Sequence, residues 1–244
     1  RSPLDVVADF IKPDDIHFAP TRLLSLENTH HGKVLPAGYL EQAWHFTRKH
    51  KLALHIDGAR IFNAVVAQQT TLENLARYCD TLTICLSKGL GAPVGSLLCG
   101  DTDYIERARR WRKMTGGGMR QAGVLAAAGL YALQHNVARL QTDHENAAWL
   151  GGALQKIGIE VTEQQTNMLF VRVPADQVDA LGQWMRAHDV LMSVGPVTRI
   201  VTHLDAERPA LEKVLSHWRA FLAQHRPGAP VTPSSLAASP YASR

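Results

Sequence analysis

Two side chains of this sequence are spaced for chemistry between a carbonyl compound and an electron-accepting ring. Asp57 stands in His55-Ile56-Asp57-Gly58-Ala59-Arg60, and Lys88 follows 31 positions later in Ser87-Lys88-Gly89-Leu90-Gly91. Each closes a short apolar run, residues 52–56 before the aspartate and 82–86 before the lysine. Such runs fit buried strands of an α/β sheet that deliver side chains to a ligand at their carboxyl ends. A lysine amine can condense with an aldehyde to a Schiff base, and a carboxylate can keep a pyridine nitrogen protonated so that the ring takes up electrons. Pyridoxal 5′-phosphate needs both. Lys88 has no acidic residue close to it in the chain, so a desolvated, nucleophilic amine is expected there. Taken singly, an Asp or a Lys after a strand is more often a helix cap or a solvated loop residue; it is the pair that points to a cofactor.

The elements that must position this pair can be read from periodicity. Strands are expected over 23–26, 52–56, 82–86 and 94–99, with helices over 39–50 and 71–78 between them, a βαβ pattern that calls for a mainly parallel sheet. Leu40, Ala43, Trp44 and Thr47 share one face of the first helix. Asn28, Asp57 and Lys88 would then meet on one rim of the sheet. A basic helix containing Arg107, Arg109, Arg110, Arg112 and Lys113 follows, with one wet face, and then the turn Thr115-Gly116-Gly117-Gly118-Met119-Arg120, whose amides could approach an anion. Helices are expected over 121–135 and 139–156, the second leading into an α+β unit. Its strands are expected over 160–162, 168–173, 191–194 and 199–202, and its helices over 175–188 and 207–224. The domain reading is residues 1–138 as part of a large domain, 139–226 as a small α+β domain, and 227–244 as a disordered tail rich in Pro, Ser and Ala.

Composition narrows the partners. The chain has 244 residues, 45% hydrophobic and 20% charged, enough for a substantial core. No apolar stretch reaches the length of a membrane span; the longest, residues 124–133, is alanine-rich and carries Gly129. A net charge of +4 and a pI near 9.1 invite nucleic acid as a partner. The basic run is instead interleaved with Ile105, Ala108 and Met114, as on an amphipathic helix, so neither nucleic acid nor membrane is expected. Cys79, Cys85 and Cys99 lack metal-ligand spacing and sit in or beside apolar runs, which reads as reduced core thiols, no metal and a cytoplasmic setting.

From residue 9 to residue 225 the sequence resembles the low-specificity threonine aldolases, members of the fold-type I pyridoxal phosphate enzymes. The resemblance rests on ordered strings such as Lys12-Pro13-Asp14-Asp15-Ile16-His17-Phe18, Leu26-Glu27-Asn28-Thr29-His30, His55-Ile56-Asp57-Gly58-Ala59-Arg60, Ser87-Lys88-Gly89-Leu90-Gly91-Ala92-Pro93, Arg112-Lys113-Met114-Thr115-Gly116-Gly117-Gly118-Met119-Arg120, Thr166-Asn167-Met168 and Arg199-Ile200-Val201-Thr202-His203. It implies an aspartate aminotransferase-like α/β large domain with a C-terminal α+β domain. Lys88 is implied as the Schiff-base lysine and Asp57 as the partner of the pyridine nitrogen. Arg60 and Arg199 would hold the amino-acid carboxylate, and His17 would lie near the substrate's β-hydroxyl. Arg120 would reach a neighbouring subunit's cofactor phosphate, with Lys113 near the same site. Asn28 and His30 could touch ligand or buttress the site. The implied activity is cleavage of threonine, allo-threonine and related β-hydroxy-α-amino acids to glycine and an aldehyde, in a homodimer or homotetramer. Family members begin upstream of the residue matching Arg1 and carry their phosphate-cradling loop there, so this chain is expected to be the later part of such a protein. Competing expectations are a partial protein without catalysis, or an aminotransferase or β-lyase, which would use the same lysine, aspartate and arginines.

Overall fold

The computed structural model describes residues 3–225; the tail expected over 227–244 lies outside them. Two sheets organise the described residues. The larger contains β1 (Leu23–Glu27), β2 (Ala53–Gly58), β3 (Thr81–Cys85) and β4 (Ser96–Cys99), in that order. The first three run parallel, and β4 returns antiparallel along β3 with Leu97 opposite Ile84. Parallel neighbours cannot be joined by a hairpin, so the chain crosses over through helices. These are α2 (Tyr39–Lys49) between β1 and β2, then α3 (Ile61–Ala67) and α4 (Leu72–Ala76) between β2 and β3; a short α1 (Leu4–Ala8) precedes the sheet. Neither α1 nor α3 is visible in the apolar periodicity, because each is too short to repeat a face.

The register decides where the chemistry falls. Glu27 pairs with Asp57, and Asp57 with Thr83, so β1, β2 and β3 open onto the same rim. Leu54 and Ile56 alternate with Leu82 and Ile84 as buried side chains, the period of two that fixes a strand's face. On α2, Leu40, Ala43 and Thr47 are buried as expected, while Trp44 is half-buried under the guanidinium of Arg48. At the opposite end of the sheet, the Asp80 carboxylate accepts from Arg48 Nη2 and from the Leu54 amide, both at 2.6 Å, and ties β2 to the start of β3.

After β4 come α5 (Thr102–Met114), α6 (Gly123–His135) and α7 (Leu140–Lys156). Asp101 caps α5 by accepting from the Tyr104 amide at 2.7 Å. The expectation of a single wet face on α5 is corrected: no residue of it is buried, and Trp111 and Met114 are exposed. The thiols are corrected too, since Cys99 is exposed and Cys79 and Cys85 are half-buried. Among the described residues no layer covers this antiparallel edge strand, all four of whose residues are exposed, so apolar sequence alone did not bury Cys99.

The second sheet is antiparallel, with β6 (Met168–Arg172) between β5 (Val161–Gln165) and β7 (Val197–Val201). A 3₁₀ turn, Ala175–Gln177, leads into α8 (Val178–Ala187), and α9 (Arg208–Gln224) follows β7 with a proline in its first turn. The strand expected over 191–194 does not form. Met192 and Val194 still pack on the core, but Pro196 has no N–H with which to extend the β7 ladder backwards. Leu150 and Leu154 of α7, Leu169 and Val171 of β6, and Trp218 and Phe221 of α9 are buried together in this core. Truncating Phe221, 1% exposed, leaves a void that its neighbours cannot close. Phe221→Ala is therefore expected to lower the unfolding free energy by about 3–5 kcal/mol, measured by urea unfolding followed by far-ultraviolet circular dichroism.

Candidate active site

Asp57 is the last residue but one of β2, and the position after it must be glycine. A Cβ at Gly58 would lie 2.5 Å from the Thr83 carbonyl oxygen, so any side chain there would push β2 from β3. Asp57 itself is exposed at the rim and accepts from the Ala59 amide at 3.0 Å through Oδ1. Lys88 comes three residues after β3, at the head of a turn closed by the Gly91 amide donating to the Lys88 carbonyl and the Ala92 amide donating to the Leu86 carbonyl, both at 2.9 Å. Gly91 takes φ +72°, which a side chain would strain. The Lys88 amine makes no hydrogen bond or ion pair among the described residues, and it is exposed rather than desolvated as expected. The turn sends Leu90 into the core and Lys88 outward into the mouth of a cleft.

That cleft, about 480 Å³, is lined by Arg60, Ser87, Lys88, Asn167, Val201 and His203 among others. Arg60 occupies the cap position before α3, half-buried, with its Nε buried and unpartnered among the described residues. Arg199 projects from β7. Burial, and then the like charge of Arg199, lower the pKa of Arg60 below the ordinary arginine value, while the guanidinium stays protonated at neutral pH. Arg199 lines a separate recess that shares Val201 and His203 with the cleft, so positive charge flanks the cleft on that side. At the end of β1 the Asn28 amide donates to the Asp57 carbonyl at 3.0 Å, which continues the strand pairing up to the rim. Asn28 Oδ1 accepts from the Leu35 amide at 3.2 Å, whereas Asn28 Nδ2 and Thr29 Oγ1 are buried without partners among the described residues.

The structure thus brings Asp57 and Lys88 to one rim, places Arg60 and Lys88 in one cleft, and sets Arg199 close enough for its charge to act on Arg60. It does not bring His17, Lys113 or Arg120 there. His17 is exposed in a turn whose amide donates to Asp15 Oδ1 at 2.8 Å, and it does not line the cleft. Lys113 lies near the end of α5 against Gly118, and Arg120 is exposed in the glycine-rich loop. His30 is engaged by Glu27. Asn167 and His203 line the cleft and were not assigned from the residues alone. Asn167 follows Thr166, a non-glycine residue at φ +48°, in the tight turn between β5 and β6. A Thr-Asn pair between the polar stretch 162–165 and the apolar run 168–171 is the available signal. Its Nδ2 donates to the Thr202 carbonyl at 3.0 Å, and its Oδ1 is buried and unpartnered among the described residues.

Residues 2–176 match the model of a family described as beta-eliminating lyase. The chain is 65% identical over 222 residues to the low specificity L-threonine aldolase of Escherichia coli strain K12, covering 91% of this chain and 67% of that protein. Among solved structures, a putative L-allo-threonine aldolase from Listeria monocytogenes superposes with a TM-score of 0.72 at 22% identity, over 90% of this chain and 65% of its own. A serine palmitoyltransferase from S. paucimobilis with bound PLP and myriocin superposes with a TM-score of 0.67 at 18% identity, over 90% of this chain and 58% of its own. The chain therefore spans about two thirds or less of the length of these proteins. At such identities the two structures speak for the fold alone, a mixed α/β architecture with a mainly parallel sheet.

A contact beneath the cleft makes the fold sensitive to pH. Asn63, buried on α3, meets His144 on α7 with its amide nitrogen 3.0 Å from Nε2, so that imidazole nitrogen must accept. Burial lowers the His144 pKa from its ordinary value of 6.5, with the charge of Glu145 opposing more weakly. Between the lowered value and 6.5 the unfolded chain binds the proton that the folded chain refuses. Stability is accordingly expected to fall as pH drops through 6.5 and to level off below the folded value. Urea unfolding compared at about pH 7.5 and about pH 5 should show a smaller loss for His144→Gln than for the unaltered chain.

Proposed function

We propose, for a chain that belongs to the beta-eliminating lyase family and within it to the low-specificity threonine aldolases, the pyridoxal 5′-phosphate-dependent cleavage of L-threonine, L-allo-threonine and related β-hydroxy-α-amino acids to glycine and an aldehyde. The observation that carries this reading is the shared rim: a lysine amine after β3 with no partner among the described residues, a carboxylate at the end of β2, and a cleft lined by both Arg60 and Lys88. The fold alone does not choose the chemistry, since one fold serves many reactions.

The residues present fit the cofactor. Among the described residues, Lys88 offers an amine with no competing partner, Asp57 offers an exposed carboxylate one strand away, and Asn28 and Thr29 hold buried polar atoms with hydrogen-bonding capacity to spare. When bound, pyridoxal phosphate supplies an aldehyde that takes an amine and a ring that accepts the electron pair of the broken Cα–Cβ bond. Lys88 Nζ would be the amine that holds it. The Asp57 carboxylate would keep the ring nitrogen protonated. Arg60 and Arg199 would bind the substrate carboxylate, and fixing that group would orient the rest of the substrate and so select the bond to be broken. His17 takes the β-hydroxyl proton in this reading, an assignment that rests on the resemblance, as do those of Arg120 and Lys113 to the cofactor phosphate.

The reading extends to a cytoplasmic homo-oligomer, dimeric or tetrameric, acting in threonine breakdown and glycine formation. It is supported by the exposed apolar side chains Leu97, Leu98, Trp111, Leu130 and Tyr131, which offer surface to a second copy. Among the described residues no helix is long and apolar enough to cross a membrane. The test is product analysis with cofactor supplied. L-threonine should yield acetaldehyde and glycine in equal amounts, and Lys88→Ala should reduce turnover by roughly 10³-fold or more. Arg199→Ala should raise KM for threonine. A keto acid formed from threonine's amine transfer, with no acetaldehyde, would overturn the aldolase reading.

A further inference from the structure

The Lys88 side chain has a flexible four-carbon stem and no partner among the described residues, so its direction has to come from the backbone of its own turn. The two carbonyls that come after Lys88 are both held by side chains of one segment, the link from α6 into α7. Arg139 Nη1 donates to the Gly89 carbonyl at 3.3 Å, and Asn136 Nδ2 donates to the Leu90 carbonyl at 2.7 Å. Leu140 presses on the same turn, for a Cβ at Gly89 would lie 2.9 Å from Leu140 Cδ2. The other end of the Arg139 fork, Nη2, is fixed by Asp143 Oδ1, and the Asp143 side chain is 1% exposed. The second Asp143 oxygen has no partner among the described residues. A buried carboxylate satisfied on one side is costly, and a hydrophobic pair would stabilise the fold as well or better. What the pair provides instead is a rigid guanidinium plane with one edge on the lysine turn.

The same helical turn reaches the other half of the cleft. The Thr202 hydroxyl, just beyond β7, donates to the Asp143 carbonyl at 2.6 Å, and the Thr202 amide donates to the Asn167 carbonyl at 3.0 Å. The lysine and the strand that carries Arg199 therefore take their positions from one reference, the first turn of α7.

We propose that Arg139, held by Asp143, is a positioning residue that aims Lys88 by clamping the Gly89 carbonyl. The proposal rests on the reading of Lys88 as the cofactor-holding amine and adds how that amine is oriented. Arg139 acts through the turn and touches no reacting atom.

The experiment separates the two claims. The protein is incubated with pyridoxal phosphate and reduced with borohydride, and peptide mass spectrometry compares the label on Lys88 with that on Lys156, an exposed helical lysine in the same molecule. The unaltered protein should label Lys88 preferentially; no preference there would overturn the functional reading and the proposal with it. Given that preference, Arg139→Ala should reduce the Lys88 to Lys156 ratio by about tenfold, and Arg139→Lys should recover part of it. Asp143→Asn, which keeps the side chain's shape, should lower the ratio as well and serves if Arg139→Ala does not fold. Leu181→Ala, a void in the core beneath the antiparallel sheet, should lower the thermal midpoint and leave the ratio unchanged. A ratio within about twofold of the unaltered protein in both the Arg139 and Asp143 variants would overturn the proposal, and so would an equal fall in Leu181→Ala.

Discussion

The pairing of β2 with β3 is the constraint on which the site depends. Parallel strands share an orientation, so the residues after their carboxyl ends are delivered to the same side, and the register between them sets the offset. Asp57 lies opposite Thr83, which leaves the chain after Cys85 to turn once and present Lys88 beside it. The buried faces of Leu54, Ile56, Leu82 and Ile84 lock that register, because a slip by one residue would exchange the core side chains for the polar ones. Gly58 tightens the arrangement further by letting the two strands approach where a Cβ would strike a carbonyl.

Charge is distributed unequally between two arginines of the site. Arg60 is half-buried and destabilised as a cation by its surroundings and by Arg199, yet it has no carboxylate partner among the described residues. A guanidinium held in that condition favours a nearby anion, and a carboxylate matches both its charge and its planar geometry. Asp143 is treated differently: burial raises its pKa, and Arg139 counters by charge and hydrogen bond. One arginine is left open for ligand, and the other is committed to architecture.

Much of this could be read from residues alone because it depends on short-range patterns. The strands carrying Asp57 and Lys88, the α2 stripe of Leu40, Ala43 and Thr47, and α7 and α9 all announce themselves through a period of two or of 3.6. The failures have physical causes. Residues 191–194 alternate like a strand, but alternation records which side chains are buried and not whether the backbone finds a partner. The exposure of Cys99 and Trp111 depends on which layers lie over β4 and α5, a tertiary matter invisible to local sequence. Asn167 and Arg139 escaped because their roles arise from contacts across 35 and 50 positions of chain. The family's motif strings could name Lys88 and Arg60, but not the hydrogen bonds that hold the backbone behind them.

β4 closes the order of the larger sheet, so its outer edge carries N–H and C=O groups without a neighbouring strand among the described residues. Leu97 and Leu98 are exposed along it, and neither a proline nor a charged side chain interrupts Ser96–Cys99. Natural edges are commonly blunted by lysine, proline or a bulge, and Ser96–Cys99 carries none of these. Among the described residues, then, the sheet that carries Asp57 and leads into the Lys88 turn is open at its far side, where the β4 edge can pair with a further strand.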